Sequence, residues 1–377
     1  MKYRLGDLLY IKGRIGWKGL KKKEYLDKGD YRIINGTNII NGKVNWSGCG
    51  FISKERYNES PEIMLKANDI LITKDGTIGK VAIVEELSKP STVASGIFIL
   101  RNTSPNIWIT KYLYYYLQSY DFKSFIHSRI EGSVIPHLYQ KDFESLSIKS
   151  PSLEEQNTIS RRLELIDKKI DLNNQLNDNL DALLTNIFKK YMINDGFEKS
   201  NLTQIANYKN GLAMQKYRPN SNEESLPVLK IKELNQGNTD DSSDRCSANL
   251  DNSVIVNTGD IIFSWSGTLL VKNWTGDKAG LNQHLFKVTS NKYPAWFIYE
   301  WTKYHLLRFQ AIAAGKATTM GHIKRSDLKS SLVYIPSQLF LAKMDSQLAP
   351  IYSQRLNLIK ENQQLSKLKQ TLLKKYF

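Results

Sequence analysis

Asp69-Ile70-Leu71-Ile72-Thr73-Lys74-Asp75-Gly76-Thr77 returns further along the chain as Asp260-Ile261-Ile262-Phe263-Ser264-Trp265-Ser266-Gly267-Thr268, an offset of 191. The first copy reads as a short apolar strand, Ile70–Thr73, closed by Asp75-Gly76 as turn punctuation. Working outward, Ile33-Ile34 and Gly42 are matched by Val228-Leu229 and Gly237 at an offset of 195. His137, Asp142, Pro151-Ser152 and Lys189-Lys190-Tyr191 are matched by His322, Asp327, Pro336-Ser337 and Lys374-Lys375-Tyr376 at 185. Any one match is within chance. A series in one order with a drifting offset is a tandem duplication with later loop insertions and deletions.

Each copy has a globular part and a helical part, giving boundaries of 1–150, 151–192, 193–335 and 336–377. The globular parts are rich in β-branched residues, aromatics and Gly/Asn turns, with strands expected at Ile70–Thr73, Val81–Val84 and Ile97–Leu100. Residues 110–126, with Tyr112, Leu113, Tyr116, Leu117 and Phe125, read as one short amphipathic helix. The class is mixed α/β (α+β). Pro151-Ser152 then opens a long helix, with Ser152 and Glu155 spaced as a capping box.

Both long helices carry apolar residues at alternating spacings of three and four. The first seam holds Ile159, Leu163, Ile166, Ile170, Asn173, Asn177, Leu180, Leu184 and Ile187. The second, 185 positions on, holds Met344, Leu348, Ile351, Arg355, Leu358, Asn362, Leu365, Lys369 and Leu372. This is coiled-coil spacing, and nearly 40 residues make about 60 Å of helix, more than a small domain needs. The expectation is that the helices pair with each other, with Asn177 and Asn362 setting the register. Parallel pairing would place both globular parts at one end; identical seams suit an antiparallel pair with pseudo-two-fold symmetry and one globular part at each end. Duplex DNA has a dyad of the same kind, so two readers on two separated half-sites would follow.

The chain has 377 residues, 53 Lys+Arg against 37 Asp+Glu, and a net charge of +16. That surplus favours a polyanionic partner. It is spread as +8 on 1–150, −1 on 151–192, +4 on 193–335 and +5 on 336–377. Two cysteines, Cys49 and Cys246, cannot build a disulfide framework or a structural zinc site, which suits a reducing cytosol. The N-terminal residues hold no signal-like apolar run and nothing approaches a membrane span, so a soluble, cytoplasmic protein is expected. Catalytic signatures are missing. The ten prolines include no adjacent pair, as an adenine methyltransferase motif of the Asn/Asp-Pro-Pro-aromatic kind would need. Gly36 to Gly42-Lys43 fails as a phosphate-binding loop, since five residues intervene and Val44 stands where Ser or Thr should be. No Glu-x-Lys occurs, and the five histidines have no metal-ligand spacing.

The Asp69–Thr77 segment, the later Gly132-Ser133-Val134-Ile135-Pro136-His137-Leu138, and Pro151-Ser152-Leu153-Glu154-Glu155-Gln156 at a helix start resemble the specificity (S) subunit of type I restriction–modification enzymes. The second half carries Gly315-Lys316-Ala317-Thr318-Thr319-Met320-Gly321-His322-Ile323 and Pro336-Ser337-Gln338-Leu339, the latter without the acidic pair. The resemblance covers essentially the whole chain. It implies two tandem target recognition domains and a role in phage defence as a recognition subunit. Double-stranded DNA, two methyltransferase (M) subunits and restriction/translocase (R) subunits would be its partners. S-adenosylmethionine, ATP and Mg are then expected only in those partners, with no cofactor or metal in this chain. Two other readings stand beside it: a self-sufficient DNA-modifying enzyme, which the missing motifs oppose, and a coiled-coil scaffold without sequence readout.

Base readout needs Arg, Lys, Asn, Gln, Ser or Thr side chains on loops, with phosphate contacts to position them. In the first domain the candidates are Trp17, Lys18, Lys21, Lys22 and Lys23, then Lys74, Thr77 and Lys80, then Arg129, Ser133 and His137. In the second they are Gln215, Lys216, Tyr217 and Arg218; Ser264, Trp265, Ser266, Thr268, Lys272 and Asn273; and Lys316, Thr318, Thr319, His322 and Lys324. The triple-Lys run reads more readily as a solvated or phosphate-skimming loop than as a base reader, Trp265 and Trp274 more readily as core aromatics, and Asp69–Gly76 and Asp260–Gly267 more readily as structural. His137 and His322 fit an internal hydrogen bond as well as a DNA contact. The loops that diverge between matched anchors are the better readers, because two readers with different targets must differ there.

Overall fold

The computed structural model describes residues 2–14, 20–130, 137–192, 196–240, 242–315 and 321–377. It divides into one unit of Met1–Asp167 with Leu368–Phe377 and another of Lys168–Lys367. In the first, β1 (Leu9–Gly13), β2 (Ile70–Thr73), β3 (Val81–Ile83) and β4 (Ile97–Asn102) form an antiparallel sheet in the order β1-β4-β2-β3. A smaller sheet joins Gly50–Ile52, Tyr31–Ile34 and Ser91–Val93, the last two parallel. Lys2–Arg4 pairs with Ser147–Lys149, so the start and end of this globular part lie side by side.

The second unit repeats the scheme. Its β5 (Asn207–Asn210), β6 (Ile261–Ser264), β7 (Val271–Asn273) and β8 (Leu285–Thr289) run in the order β5-β8-β6-β7, again antiparallel. Ser225–Leu229 pairs in parallel with Ala279–Leu281, and Glu198–Asn201 closes against Leu332–Ile335. The backbone repeats as closely as the topology. Gly42 and Gly237 have φ of 81° and 83°, and Gly76 and Gly267 have 67° and 64°. Left-handed turns of this kind favour glycine, which is why these anchors survive in both copies.

The expected strands are found, with the third running on to Asn102 and the second ending at Ile83. The single helix expected over 110–126 is instead two, Thr110–Tyr116 and Tyr120–Ile130. Ser119 makes the break: fully buried, its Oγ accepts the Phe122 amide at 3.3 Å, so a capping residue restarts the helix.

The long helices are α1 (Leu153–Tyr191) and α2 (Gln338–Tyr376), 39 residues each. The Glu155 amide donates to Ser152 Oγ at 3.2 Å and the Ser152 amide to Glu155 Oε2 at 3.0 Å, completing the capping box. The boundaries at 150 and 335 separate secondary structures but not packing units, since the division falls inside both helices. Side-chain burial gives the reason. In the first unit Leu163 and Leu373 enter the core with Phe98, Tyr112 and Phe143, while Ile159, Leu372 and Phe377 pack on it. In the second, Leu184, Phe188, Met344 and Leu348 enter the core with Phe263 and Trp301. Each core therefore takes the first turns of one long helix and the last turns of the other.

The two helices also touch each other within each unit, and the partners run in opposite directions. In the first unit Arg162 donates to the Tyr376 hydroxyl at 2.8 Å and Lys369 to Asp167 at 2.7 Å. In the second, Arg355 donates to Asp181 at 2.8 Å and Asn173 donates to Glu361 at 2.8 Å and Asn362 at 2.9 Å. Leu163, Ile166, Leu184, Leu348 and Leu358 are buried, while Ile159, Ile170, Leu180, Ile351, Leu365 and Leu372 are half-buried. The register amides differ from expectation. Asn362 meets Asn173, Asn174 and the Ile170 carbonyl, not Asn177, whose buried Oδ1 has no hydrogen-bond partner. The contacts Asn173–Asn362 and Asp181–Arg355 set a register in which Asn362 lies opposite residues 173 and 174, about one helical turn from Asn177.

Candidate nucleic-acid interface

The antiparallel ladders decide which loops meet. Gly13 pairs with Phe98, Thr73 with Ile97, and Val81 with Ile72, so the chain leaves β1 and β2, and enters β3 and β4, at one edge. That edge is stitched by backbone hydrogen bonds. The Lys74 amide donates to the Gly96 carbonyl at 2.9 Å, and the Leu138 amide to the Lys74 carbonyl at 3.2 Å. Thr73 Oγ1 accepts the Lys80 amide at 2.9 Å and donates to the Thr77 carbonyl, locking the 74–80 turn. His137 Nδ1 is hydrogen-bonded to Asp75.

The second unit builds the same edge. Asn210 pairs with Phe286, Ser264 with Leu285, and Phe263 with Val271. The Trp265 amide donates to the His284 carbonyl at 3.3 Å, and the Ile323 amide to the Trp265 carbonyl at 3.0 Å. The Gly267 amide donates to the Gly321 carbonyl at 2.8 Å, and Ser266 bridges His322 in the backbone. Of the loops expected from sequence to be readers, 74–80 thus meets 129–140 at His137 and Leu138, and 264–274 meets 315–325 at Gly321, His322 and Ile323.

Individual candidates fall into groups. Lys21 and Lys23 are exposed beside a single turn, Lys22–Glu24, held by the Lys21 amide on Glu24. Thr77 and Thr268 are exposed, Lys80 is half-buried, and exposed Arg129 lies over the Phe125 ring. Gln215, Lys216, Tyr217 and Arg218 are exposed around the turn Met214–Lys216. With Asp244 and Arg245, Gln215 and Arg218 line a cleft of about 320 Å³. Lys324 is exposed, and its amide donates to Asp327 as the Tyr139 amide does to Asp142. Trp17, Lys18, Ser133, Lys316, Thr318 and Thr319 lie outside the described residues.

Three candidates are withdrawn by burial. Ser264 Oγ donates to the Ser266 carbonyl, Ser266 is itself buried, and Asn273 donates to the Gly259 carbonyl and the Tyr352 hydroxyl. Ser264 and Asn273 thereby brace the hairpin, and none of the three side chains is presented at the surface. Lys272 is half-buried with its ammonium on the Asn235 carbonyl, and burial lowers its pKa. Trp274 is fully buried, whereas Trp265 is half-buried, stacked on Phe286 with its Nε1 donating to Asn210. Asp69 and Asp260 are structural: each accepts a loop amide, from Lys66 and Asn257, and pairs with a cation, Arg101 and Lys287.

Sequence reasoning passed over Gly96 and His284, because neither lies in a recurring motif; only the strand pairing shows them beside positions 74 and 265. A second cleft of about 530 Å³, lined by Trp46, Asn68, Ile83, Glu85, Glu86 and Lys111, carries two carboxylates and is ill-suited to phosphate. Five leucines of α1 are exposed: Leu153 at its first residue, and within the helix Leu165 at 58%, Leu172 at 62%, Leu176 at 44% and Leu183 at 46%. Among the described residues no cluster of His, Cys, Asp and Glu could hold a metal ion, and no helix is long and apolar enough to cross a membrane.

The sequence profile of the type I restriction modification DNA specificity domain matches residues 1–182 and again 194–363. The chain belongs to this family. Among curated proteins it is similar to the type I restriction enzyme MjaIX specificity subunit of Methanocaldococcus jannaschii, 27% identical over 389 residues, covering 94% of this chain and 87% of that one. The EcoBI specificity subunit of Escherichia coli is 25% identical over 187 residues, covering 48% and 38%. A crystal structure of a type I restriction–modification S subunit from M. genitalium shares the fold, with a TM-score of 0.53 at 17% identity, covering 100% of this chain and 96% of that one. In the terms of the specificity-domain family, each stitched sheet edge belongs to one of two matched domains.

Proposed function

We propose that this chain is the DNA-reading subunit of a type I restriction–modification enzyme, each domain recognising one half of a bipartite duplex target. The observation that carries this is the duplicated sheet edge: the same backbone stitching around Lys74 and around Trp265 presents different side chains. A shared frame with divergent tips is what two readers of different sequences require, since base edges are discriminated by side-chain chemistry. The surplus of +8 and +4 on the globular parts supplies phosphate attraction.

In this reading α1 and α2 fix the separation of the half-sites, and the antiparallel contacts within each unit support that role. Exposed Leu165, Leu172, Leu176 and Leu183 recur at intervals of seven, four and seven, as a helix does when it offers a seam to another helix. We assign that stripe to a methyltransferase subunit. Chemistry then belongs to the partners: S-adenosylmethionine with the methyltransferase subunits, ATP and Mg with restriction/translocase subunits, all in the cytoplasm. Co-expression with methyltransferase subunits, followed by mapping of methylated adenines, tests the function. Methylation should fall in two short specified segments around an unspecified gap of constant length; methylation without such a motif would contradict the reading.

A further inference from the structure

Position 74 in the first domain and position 265 in the second occupy the same place in the frame. Both donate their amide to the residue two before the aromatic of the paired strand, Gly96 before Phe98 on β4 and His284 before Phe286 on β8. Both accept, on their carbonyl, the amide of the residue after the recurring histidine, Leu138 after His137 and Ile323 after His322. Both side chains lie over that aromatic ring: the Lys74 ammonium 4.6 Å from the Phe98 centroid, the Trp265 indole 5.7 Å from that of Phe286 at 29°. The glycine turn follows two residues later in each, with the same φ to within a few degrees.

On this common frame three side chains change and one does not. Lys74, Asp75 and Gly96 in the first domain stand where Trp265, Ser266 and His284 stand in the second, and histidine is common to both. The chemistry changes with them. The first set offers an ammonium, a donor only, beside an imidazole held at Nδ1 by the half-exposed Asp75 carboxylate. The second offers indole carbon surface, since Trp265 Nε1 is occupied by Asn210, with two imidazoles whose centroids lie 5.9 and 6.4 Å from the indole.

We propose that these three positions are a specificity cassette: positions 74/265 and 96/284 meet the base, the side chain at 75/266 acts through the histidine it adjoins, and together they set the base preferred at one equivalent place in each half-site. This rests on the DNA-reading function argued above. The Lys74 ammonium matches the guanine N7 and O6 acceptors of the major groove, and the Trp265 surface matches the thymine methyl. The cassette can be transplanted, because a Cβ at Gly96 would meet only Asp75, at 3.7 Å.

The full-length chain and two variants are each selected against duplexes randomised across both half-sites. The triple variant Lys74→Trp, Asp75→Ser, Gly96→His should exchange guanine for thymine at one place in the first half-site and leave the second unchanged. Lys74→Gln alone, which disturbs no backbone bond, should cut the guanine preference there by about tenfold, the lower part of the range for one good base contact. An unchanged first half-site in both variants, with the wild-type chain selecting a clear bipartite sequence, overturns the cassette. If the wild-type chain selects no sequence, the DNA-reading function itself falls, and the cassette with it.

Discussion

Asp69 and Arg101 are joined by two hydrogen bonds, Arg101 donating from Nε at 2.6 Å and from Nη2 at 2.7 Å to a carboxylate with no solvent exposure. The equivalent Asp260 pairs with Lys287 through one contact at 2.8 Å and is 27% exposed. Removing one partner of a buried pair strands the other, at a cost of roughly 3 kcal/mol, whereas a more exposed pair is screened and weaker. Asp69→Ala should therefore destabilise the first unit by about that amount. Asp260→Ala should shift the second by clearly less, each read from urea unfolding.

Glu300 gives the second unit a pH dependence. Burial pushes its carboxyl up to about 7, Asp181 adds to the rise, and Lys303, the Thr185 hydroxyl and Arg355 oppose it. A folded-state pKa above the unfolded value favours folding below the unfolded pKa, and that advantage is lost as pH rises through the folded one. Stability of this unit should fall between about pH 4.5 and 7 through this group. Glu300→Gln, which keeps the acceptor for Thr185, should remove that slope and raise stability at pH 8 by on the order of 3 kcal/mol at most. A slope unchanged by the substitution would mean that another group titrates there.

Leu163 and Leu172 lie on one helix with opposite surroundings, fully buried and 62% exposed. Leu163→Ala should cost 2–5 kcal/mol, about what buried leucines lose on truncation. Leu172→Asp with Leu176→Asp should leave unfolding within about 0.5 kcal/mol of wild type, as surface changes do. The same pair should weaken capture of a methyltransferase subunit while leaving the selected DNA sequence unchanged. Size-exclusion chromatography of the mixed subunits separates these outcomes.

Lys21 and Lys23, exposed beside their short turn, are suited to phosphate. Their replacement by Gln should weaken binding to all duplexes alike and lower the salt slope by about one unit for each phosphate no longer neutralised. A change in sequence preference would instead make them base readers.

The duplication, the strand–turn anchors and the capping box at Ser152 were legible because each is local: a periodicity, a glycine at positive φ, a serine three residues from a glutamate. What escaped depended on pairing across the chain. Ser119 restarts a helix within an unbroken apolar pattern, since a single cap outweighs periodicity over a few residues. Asn362 meets Asn173, about one turn from Asn177, because contacts across the pair set its register, which residue equivalence does not show. Ser264, Ser266 and Asn273 looked like polar loop residues, yet all three side chains are buried, those of Ser264 and Asn273 with hydrogen bonds turned inward. Gly96 and His284 became candidates only once β4 and β8 placed them beside Lys74 and Trp265.

A chain that reads two half-sites at a set separation should sense the length of the gap between them and not its sequence. Duplexes carrying both selected half-sites would be compared while the intervening segment is first randomised at constant length and then changed by one to five base pairs. Affinity should be indifferent to gap sequence and fall sharply with gap length. Affinity that follows gap sequence, or ignores gap length, would contradict two half-sites read at a fixed spacing.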